Sequence, residues 1–481
     1  MTTFDPATGD FARYLAQVGA ALDDWLASDQ PDALTNGSGW QDSLRGPVPE
    51  QGIGADATIE EFVAEILPNG TRLTSPASWA FITTGPTTVP TVVAAAGMIA
   101  APQRQMLTAF NRLEQLSLEW LAQLCGLGDH MLGVYSSGGS TANLVALGAA
   151  RQWALEQAGL DPAAAGLDGR RLAVYTSTQA HHTIHRSAAV LGMGRASVRS
   201  IPTDDLLRLD LRTLEEALRE DRAAGVIPVA VVAAAGTTNT GAIDPIRGAG
   251  ELAREFGAWF HVDGAYGLPG RLDDRVAPLY DGLDLADSAI TDPHKWLGAP
   301  VGVAATFVRD RAILHRAFTQ EPADYLEGTF ADDEAQVSMD SMGVPYFDFG
   351  VELSAPPRGV MVWAILRELG VEGVRRRIVT DNDFARHVAE RAHADPRLEV
   401  LAEPVLSICG FRYRTDGEHD WDAVNRQILR RLARETPVVV SSTLVGGSFV
   451  LRPCFINSRT ALSDVDAFID SVLQFGDELT A

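Results

Sequence analysis

The chain has 481 residues, 46% of them hydrophobic, which is enough to bury a large core and to form more than one domain. Its formal net charge of -24 argues against nucleic-acid binding, which leaves a basic footprint. Three cysteines, Cys125, Cys409 and Cys454, are odd in number and too few for a disulfide framework, so a reducing, cytoplasmic setting is expected.

The first residues carry neither the basic nor the apolar region of a secretory signal. Between about 11 and 26, Phe11, Tyr14, Leu15, Val18, Leu22 and Trp25 recur at helical spacing and predict an amphipathic helix. Val89 to Ala101 comes nearest to a membrane span, but it is short and interrupted by Pro90 and Gly97, so no membrane association is expected. From about 91 to 375, apolar runs such as Leu172–Tyr175 and Val229–Ala235 alternate with helical stretches such as Leu211–Arg222 and Pro245–Phe256. That alternation predicts an α/β fold, a mostly parallel sheet with helices on both faces. From about 376 onward, helices (Asn382–Ala394, Trp421–Arg434, Ser463–Phe475) and short strands (Val400–Leu401, Ser407–Tyr413, Phe449–Pro453) predict a smaller α+β domain. Three segments result: a helical N-terminal segment at 1–90, a large sheet-bearing domain at 91–375 and the small domain at 376–481.

The chemistry concentrates in the middle segment. Asp263 ends the apolar run Trp259–Val262, which reads as a buried strand, so its carboxylate needs a cationic partner to stay ionised. Lys295 stands in Asp-Pro-His-Lys-Trp at 292–296. A lysine able to form a Schiff base and an aspartate able to keep a pyridine nitrogen protonated are what pyridoxal 5'-phosphate requires of a protein. Ser136 to Leu147 is a glycine-rich turn running into an apolar helix, and such a turn offers backbone N–H groups to an anion. Thr237 and Thr238 follow the strand Val229–Ala235, at the end where open α/β sheets bind ligands. His181, His182 and His185 are poorly spaced for one helical face and no cysteine or carboxylate completes a zinc set, so no metal is expected.

With these strings in order, the chain resembles the group II pyridoxal-phosphate-dependent amino acid decarboxylases, the family of the aromatic L-amino acid, tyrosine and glutamate enzymes, from about Trp79 to the C-terminus. The resemblance implies fold type I, with the first segment packing on the partner subunit of a homodimer and the active site at the interface. It makes Lys295 the Schiff-base residue and Asp263 the partner of the ring nitrogen. His181 would stack on one ring face and Ala265 on the other. Gly138, Gly139 and Ser140 would hold the phosphate, with Thr238 beside the cofactor. Asp292, where many members have Asn, would lie near the phosphate, and His294 would assist phosphate binding or proton delivery.

An acidic stretch from about Phe318 to Tyr346 reads as a surface loop. In the family it is a lid, and Tyr325 matches the tyrosine that protonates Cα once carbon dioxide has left. Members with Phe there tend to be aldehyde synthases. Residues 79–86 and a partner-subunit segment at about 101–108 would meet the substrate side chain, with Trp79 or Phe81 as an aromatic wall and Arg104 in the second stretch. The implied function is decarboxylation of an L-amino acid, aromatic or bulky apolar by preference. A polar or acidic substrate, or an aldehyde synthase, aminotransferase or lyase on the same fold, is the alternative.

Overall fold

The computed structural model describes residues 10–27, 40, 44–101, 109–319 and 343–481. After β1 (Ser78–Trp79) come seven strands of one sheet: β2 (Leu132–Ser136), β3 (Leu172–Ser177), β4 (Val198–Ile201), β5 (Ile227–Ala234), β6 (Trp259–Asp263), β7 (Ser288–Thr291) and β8 (Ala304–Val308). Their order is β2-β8-β7-β6-β5-β3-β4. The five strands from β7 to β4 are parallel, and β8 runs antiparallel to both its neighbours. The fold is therefore α/β with a mostly parallel sheet.

Parallel sheets are covered on both faces, which is why β5 is apolar at every position rather than alternating. The helix Gly139–Gln157 packs across the sheet, and alanines 142, 146, 149 and 150 let its backbone approach closely. The hydroxyl of Thr306 on β8 donates to the Ala142 carbonyl at 3.1 Å. Trp153 of the same helix meets Trp259 of β6 edge to face, ring centroids 5.9 Å apart.

A second sheet takes β9 (Leu398–Ala402), β10 (Gly410–Tyr413), β11 (Val439–Val445) and β12 (Ser448–Arg452), in the order β1-β11-β12-β10-β9. Residues 78–79 lie in the segment expected to be helical. They instead pair in parallel with Val439 and Val440, because Trp79 belongs to the separate core that this sheet forms with the helices Trp421–Glu435 and Leu462–Thr480. The helix expected over 382–394 is the last part of Gly359–Ala394, which breaks at Gly370, where φ is 61°.

The amphipathic N-terminal helix forms over Asp10–Ala27, and its Phe11 and Leu15 stay nearly half exposed. The apolar stretch at 89–101 is the helix Thr88–Ala100; Pro90 is tolerated in its first turn, where no intrahelical partner for an N–H is lost. Among the described residues no helix is long and apolar enough to cross a membrane.

Candidate active site

The carboxyl ends of β5, β6 and β7 and the N-terminus of the helix Gly139–Gln157 converge on one cavity of about 400 Å³. Gly138, Gly139, Ser140, His181, Thr238, Asp263, Ala265, Asp292, His294 and Lys295 all line it. Residues scattered over more than 150 positions of sequence are thus brought together because parallel strands deliver their following loops to the same edge. Tyr325 and Arg104 lie outside the described residues.

Asp263 is held from two sides. Its Oδ2 accepts from Asn143 Nδ2 at 3.0 Å and its Oδ1 from the Ala265 N–H at 3.2 Å. Behind Asn143 runs a buried chain that the sequence reading did not identify. Trp259 Nε1 donates to Ser288 Oγ at 2.8 Å, Ser288 Oγ lies 2.8 Å from His261 Nδ1, and His261 Nε2 lies 3.0 Å from Asn143 Oδ1. One donor direction satisfies every member: indole to serine, serine hydroxyl to Nδ1, Nε2–H to the amide oxygen, amide N–H to Asp263. This requires a neutral His261, and burial pushes its pKa down to about 4. His261 and Asp263 point to the same face of β6, two residues apart, and that spacing was the available sequence signal.

Because the folded protein keeps His261 neutral while the unfolded chain protonates it in the usual histidine range, its contribution to stability is complete above that range. It is lost as the pH falls toward 4. The loss amounts to at most about 3 kcal/mol. Melting temperatures between pH 7 and 4 are expected to fall less steeply in His261→Gln than in the native protein; parallel curves would show that His261 is not the titrating group.

Lys295 Nζ lies 3.0 Å from Asp292 Oδ2, with the lysine side chain 21% exposed and the aspartate 1%. Lys295 is the only lysine of the chain; every other basic residue that is not histidine is arginine. Lysine and arginine carry the same charge, but only lysine has an amine that can lose its proton and condense with a carbonyl. The single lysine therefore marks a chemical requirement, and its position was a sequence signal stronger than the motif around it.

His294 Nδ1 is 2.6 Å from the Val303 carbonyl, to which it donates, leaving Nε2 3.7 Å from Asp292 Oδ2. His181 Nδ1 accepts from the Thr183 backbone N–H at 3.4 Å and lies 2.9 Å from the Thr183 hydroxyl; burial lowers its pKa. His182 is exposed and His185 contacts Ser200 at 3.4 Å, so neither lines the cavity. Gly138 is the N-cap of the helix, and a Cβ on Gly139 would stand 2.6 Å from Asp292 Oδ2. Glycine is needed there for close approach.

The expected aromatic wall is corrected for Trp79. Its side chain is fully buried, donates from Nε1 to Thr460 Oγ1 at 2.9 Å and packs on Phe455 and Phe468, away from the cavity. Phe81 is 68% exposed, with a left-handed φ of 59°. Its carbonyl is gripped by the buried guanidinium of Arg452, which also donates to the carbonyls of Thr238 and Asn239. Arg452, not recognised from sequence, thereby ties the 79–86 segment to the cavity-lining threonine loop.

An amine, a carboxylate fixed across the cavity and an anion-binding turn are the three features that pyridoxal phosphate needs, and the residues present fit it.

Comparison with known proteins agrees. The family model described as "Pyridoxal-dependent decarboxylase conserved domain" matches residues 86–414. The chain is 32% identical to tryptophan decarboxylase 1 of Oryza sativa subsp. japonica, over 94% of this chain and 90% of that one. It is 29% identical to 4-hydroxyphenylacetaldehyde synthase of Rhodiola rosea, over 74% and 71%. The crystal structure of Oryza sativa TDC with PLP and tryptamine superposes with a TM-score of 0.89 at 30% identity, covering all of both chains.

Proposed function

The chain belongs to the pyridoxal-dependent decarboxylase family and is a pyridoxal-phosphate-dependent carboxy-lyase, and from that premise we propose that it converts an aromatic L-amino acid to the corresponding amine and carbon dioxide. The observation that carries the choice of substrate is the likeness, over nearly the whole chain, to a tryptophan decarboxylase.

When bound, pyridoxal phosphate supplies the electron sink for the pair left on Cα as the carboxyl group departs. Lys295 Nζ is the covalent attachment point. Asp263, oriented by Asn143 and the Ala265 N–H, would keep the proton on the ring nitrogen. The backbone N–H groups of the turn at Gly138 and Gly139, with the Ser140 hydroxyl, would hold the phosphate, with Asp292 near it; His181 and Ala265 would pack on the ring, with Thr238 beside it. His294, fixed through Nδ1 by Val303, presents Nε2 to the phosphate or to a proton in transit. Tyr325 returns the proton to Cα. Val301, a lining residue that is 74% exposed, supplies apolar surface at the mouth for a bulky side chain.

The same reading includes a homodimer with the site at the subunit interface. It is supported by exposed Phe11 and Leu15 on the N-terminal helix and by exposed Val89, Val92, Met98 and Ile99 on the helix Thr88–Ala100. A cytoplasmic location is supported by Cys125, Cys409 and Cys454, all free and buried.

Tyr325, where the family resemblance implies the Cα proton donor, is the residue expected to direct the reaction to the amine rather than the aldehyde. Mass spectrometry of products from tryptophan, tyrosine, phenylalanine, leucine, glutamate and aspartate is expected to show amines, with the highest kcat/KM for an aromatic substrate. Tyr325→Phe is expected to make less amine and, with oxygen, to yield aldehyde, ammonia and hydrogen peroxide. A strong preference for an acidic substrate would refute the choice of substrate, and unchanged amine formation by Tyr325→Phe would refute the proton donor.

A further inference from the structure

Asp292 follows the last residue of β7 and is 2% exposed. Its Oδ2 faces Lys295 Nζ at 3.0 Å and His294 Nε2 at 3.7 Å, while its Oδ1, fully buried, has no hydrogen-bond partner among the described residues. The carboxyl lies against the anion-binding turn, since a Cβ at Gly139 would stand 2.6 Å from Oδ2. The titratable groups around it are Lys295 and His294 in its own turn and, across the cavity, His181 and Asp263. The first turn of the helix beginning at Gly139 contributes no acidic residue.

With Lys295 as a free ammonium, an ionised Asp292 has its counter-ion. Attachment changes both neighbours. The Lys295 ammonium would give up a proton and its amine would condense with the cofactor aldehyde with loss of water, so that Nζ is bonded to the cofactor and no longer a free ammonium at Asp292, while the proton given up is available to that carboxylate 3.0 Å away. The phosphate then places negative charge beside a buried carboxylate. Two anions side by side in a buried site cannot both remain ionised without cost, and the usual resolution is that one of them takes up a proton. A protonated carboxyl replaces that repulsion with an O–H···O⁻ hydrogen bond, the stronger kind.

We propose that Asp292 is protonated in the cofactor complex and donates a hydrogen bond to the phosphate, so that binding takes up a proton at this residue and cofactor affinity weakens as the pH rises. The inference rests on the phosphate position given under the proposed function and adds to it a protonation state that the chain's own aspartate imposes. The sign follows from linkage. Protonation of the carboxyl and binding of the phosphate favour each other, so affinity is greatest where the carboxyl is already protonated before binding and falls by up to about tenfold per pH unit above that.

The test is titration of the apoprotein with pyridoxal phosphate between pH 6 and 9, followed by absorbance, for the native protein and Asp292→Asn. Calorimetry in buffers of different ionisation enthalpy counts the protons. Native affinity, relative to the variant, is expected to fall as the pH rises, by up to about tenfold per pH unit, and the native protein is expected to take up more protons than the variant, about one more at most. With pyridoxal, which lacks the phosphate, the two proteins are expected to give the same slope. Equal slopes and equal proton counts with pyridoxal phosphate would overturn the proposal. So would a difference that persists with pyridoxal, or one abolished equally by His294→Gln. Asp292→Ser serves as the comparison if Asp292→Asn does not fold. If neither Ser140→Ala nor Asp292→Asn changes affinity at any pH, the phosphate does not sit at this turn, and the underlying placement fails rather than the proton assignment alone.

Discussion

Lys295→Ala is expected to lose the visible absorbance of covalently attached cofactor together with nearly all turnover. The expectation is sharp because the chain contains no other lysine. No second side-chain amine can take over the attachment or contribute an adventitious signal. Arginine cannot substitute, since its guanidinium stays protonated, so Lys295→Arg is expected to be as inactive as the alanine variant. Borohydride reduction of the holoenzyme followed by peptide mapping is expected to place the label at Lys295. Both variants still present the glycine turn and Asp263, so the cofactor is expected to bind them, more weakly. Near-normal decarboxylation by Lys295→Ala would remove Lys295 from the reaction.

Asp263→Asn is expected to keep the cofactor and lose the rate. An amide matches the carboxylate in size and can still accept from Asn143 or the Ala265 N–H, so the site is expected to retain its shape. It cannot hold a proton on the ring nitrogen, because the negative charge that favours the pyridinium is gone. A fall in kcat of at least ~100-fold is expected, or ~2.7 kcal/mol of transition-state stabilisation, with cofactor absorbance retained. Comparison of kcat with cofactor occupancy in the same sample separates loss of chemistry from loss of binding. Turnover within a few-fold of the native rate would show that the ring nitrogen is not protonated through Asp263.

Much of this could be read from the chain alone. The uninterrupted apolar runs that became β3, β5 and β6 announce strands buried on both faces, and their alternation with amphipathic helices fixes a mostly parallel sheet. Asp263 and Lys295 declare themselves because each is chemically costly or specialised where it stands: a carboxylate at the end of a buried strand, and the one primary amine side chain in 481 residues. Local sequence determines such features because period, turn chemistry and residue type are local properties.

Tertiary structure decided the rest, since it concerns which distant groups become neighbours. The chain from Trp259 through Ser288, His261 and Asn143 to Asp263 draws on two strands and a helix, and none of its polar residues is unusual until burial leaves each with only neighbouring protein groups to pair with. Trp79, expected at the substrate, went into the core beside the second sheet because β1 pairs with β11, a long-range contact invisible to any window of sequence. Arg452 looks like one arginine among many until its three carbonyl partners are seen to come from two loops far apart in sequence, at Phe81 and at Thr238 and Asn239. Asp292 was visible as a residue type, but its close approach to Gly139, and a buried oxygen with no partner among the described residues, exist only once β7 and the helix N-terminus meet. Composition and periodicity report how much of a residue is buried, whereas only the packed sheet specifies against what.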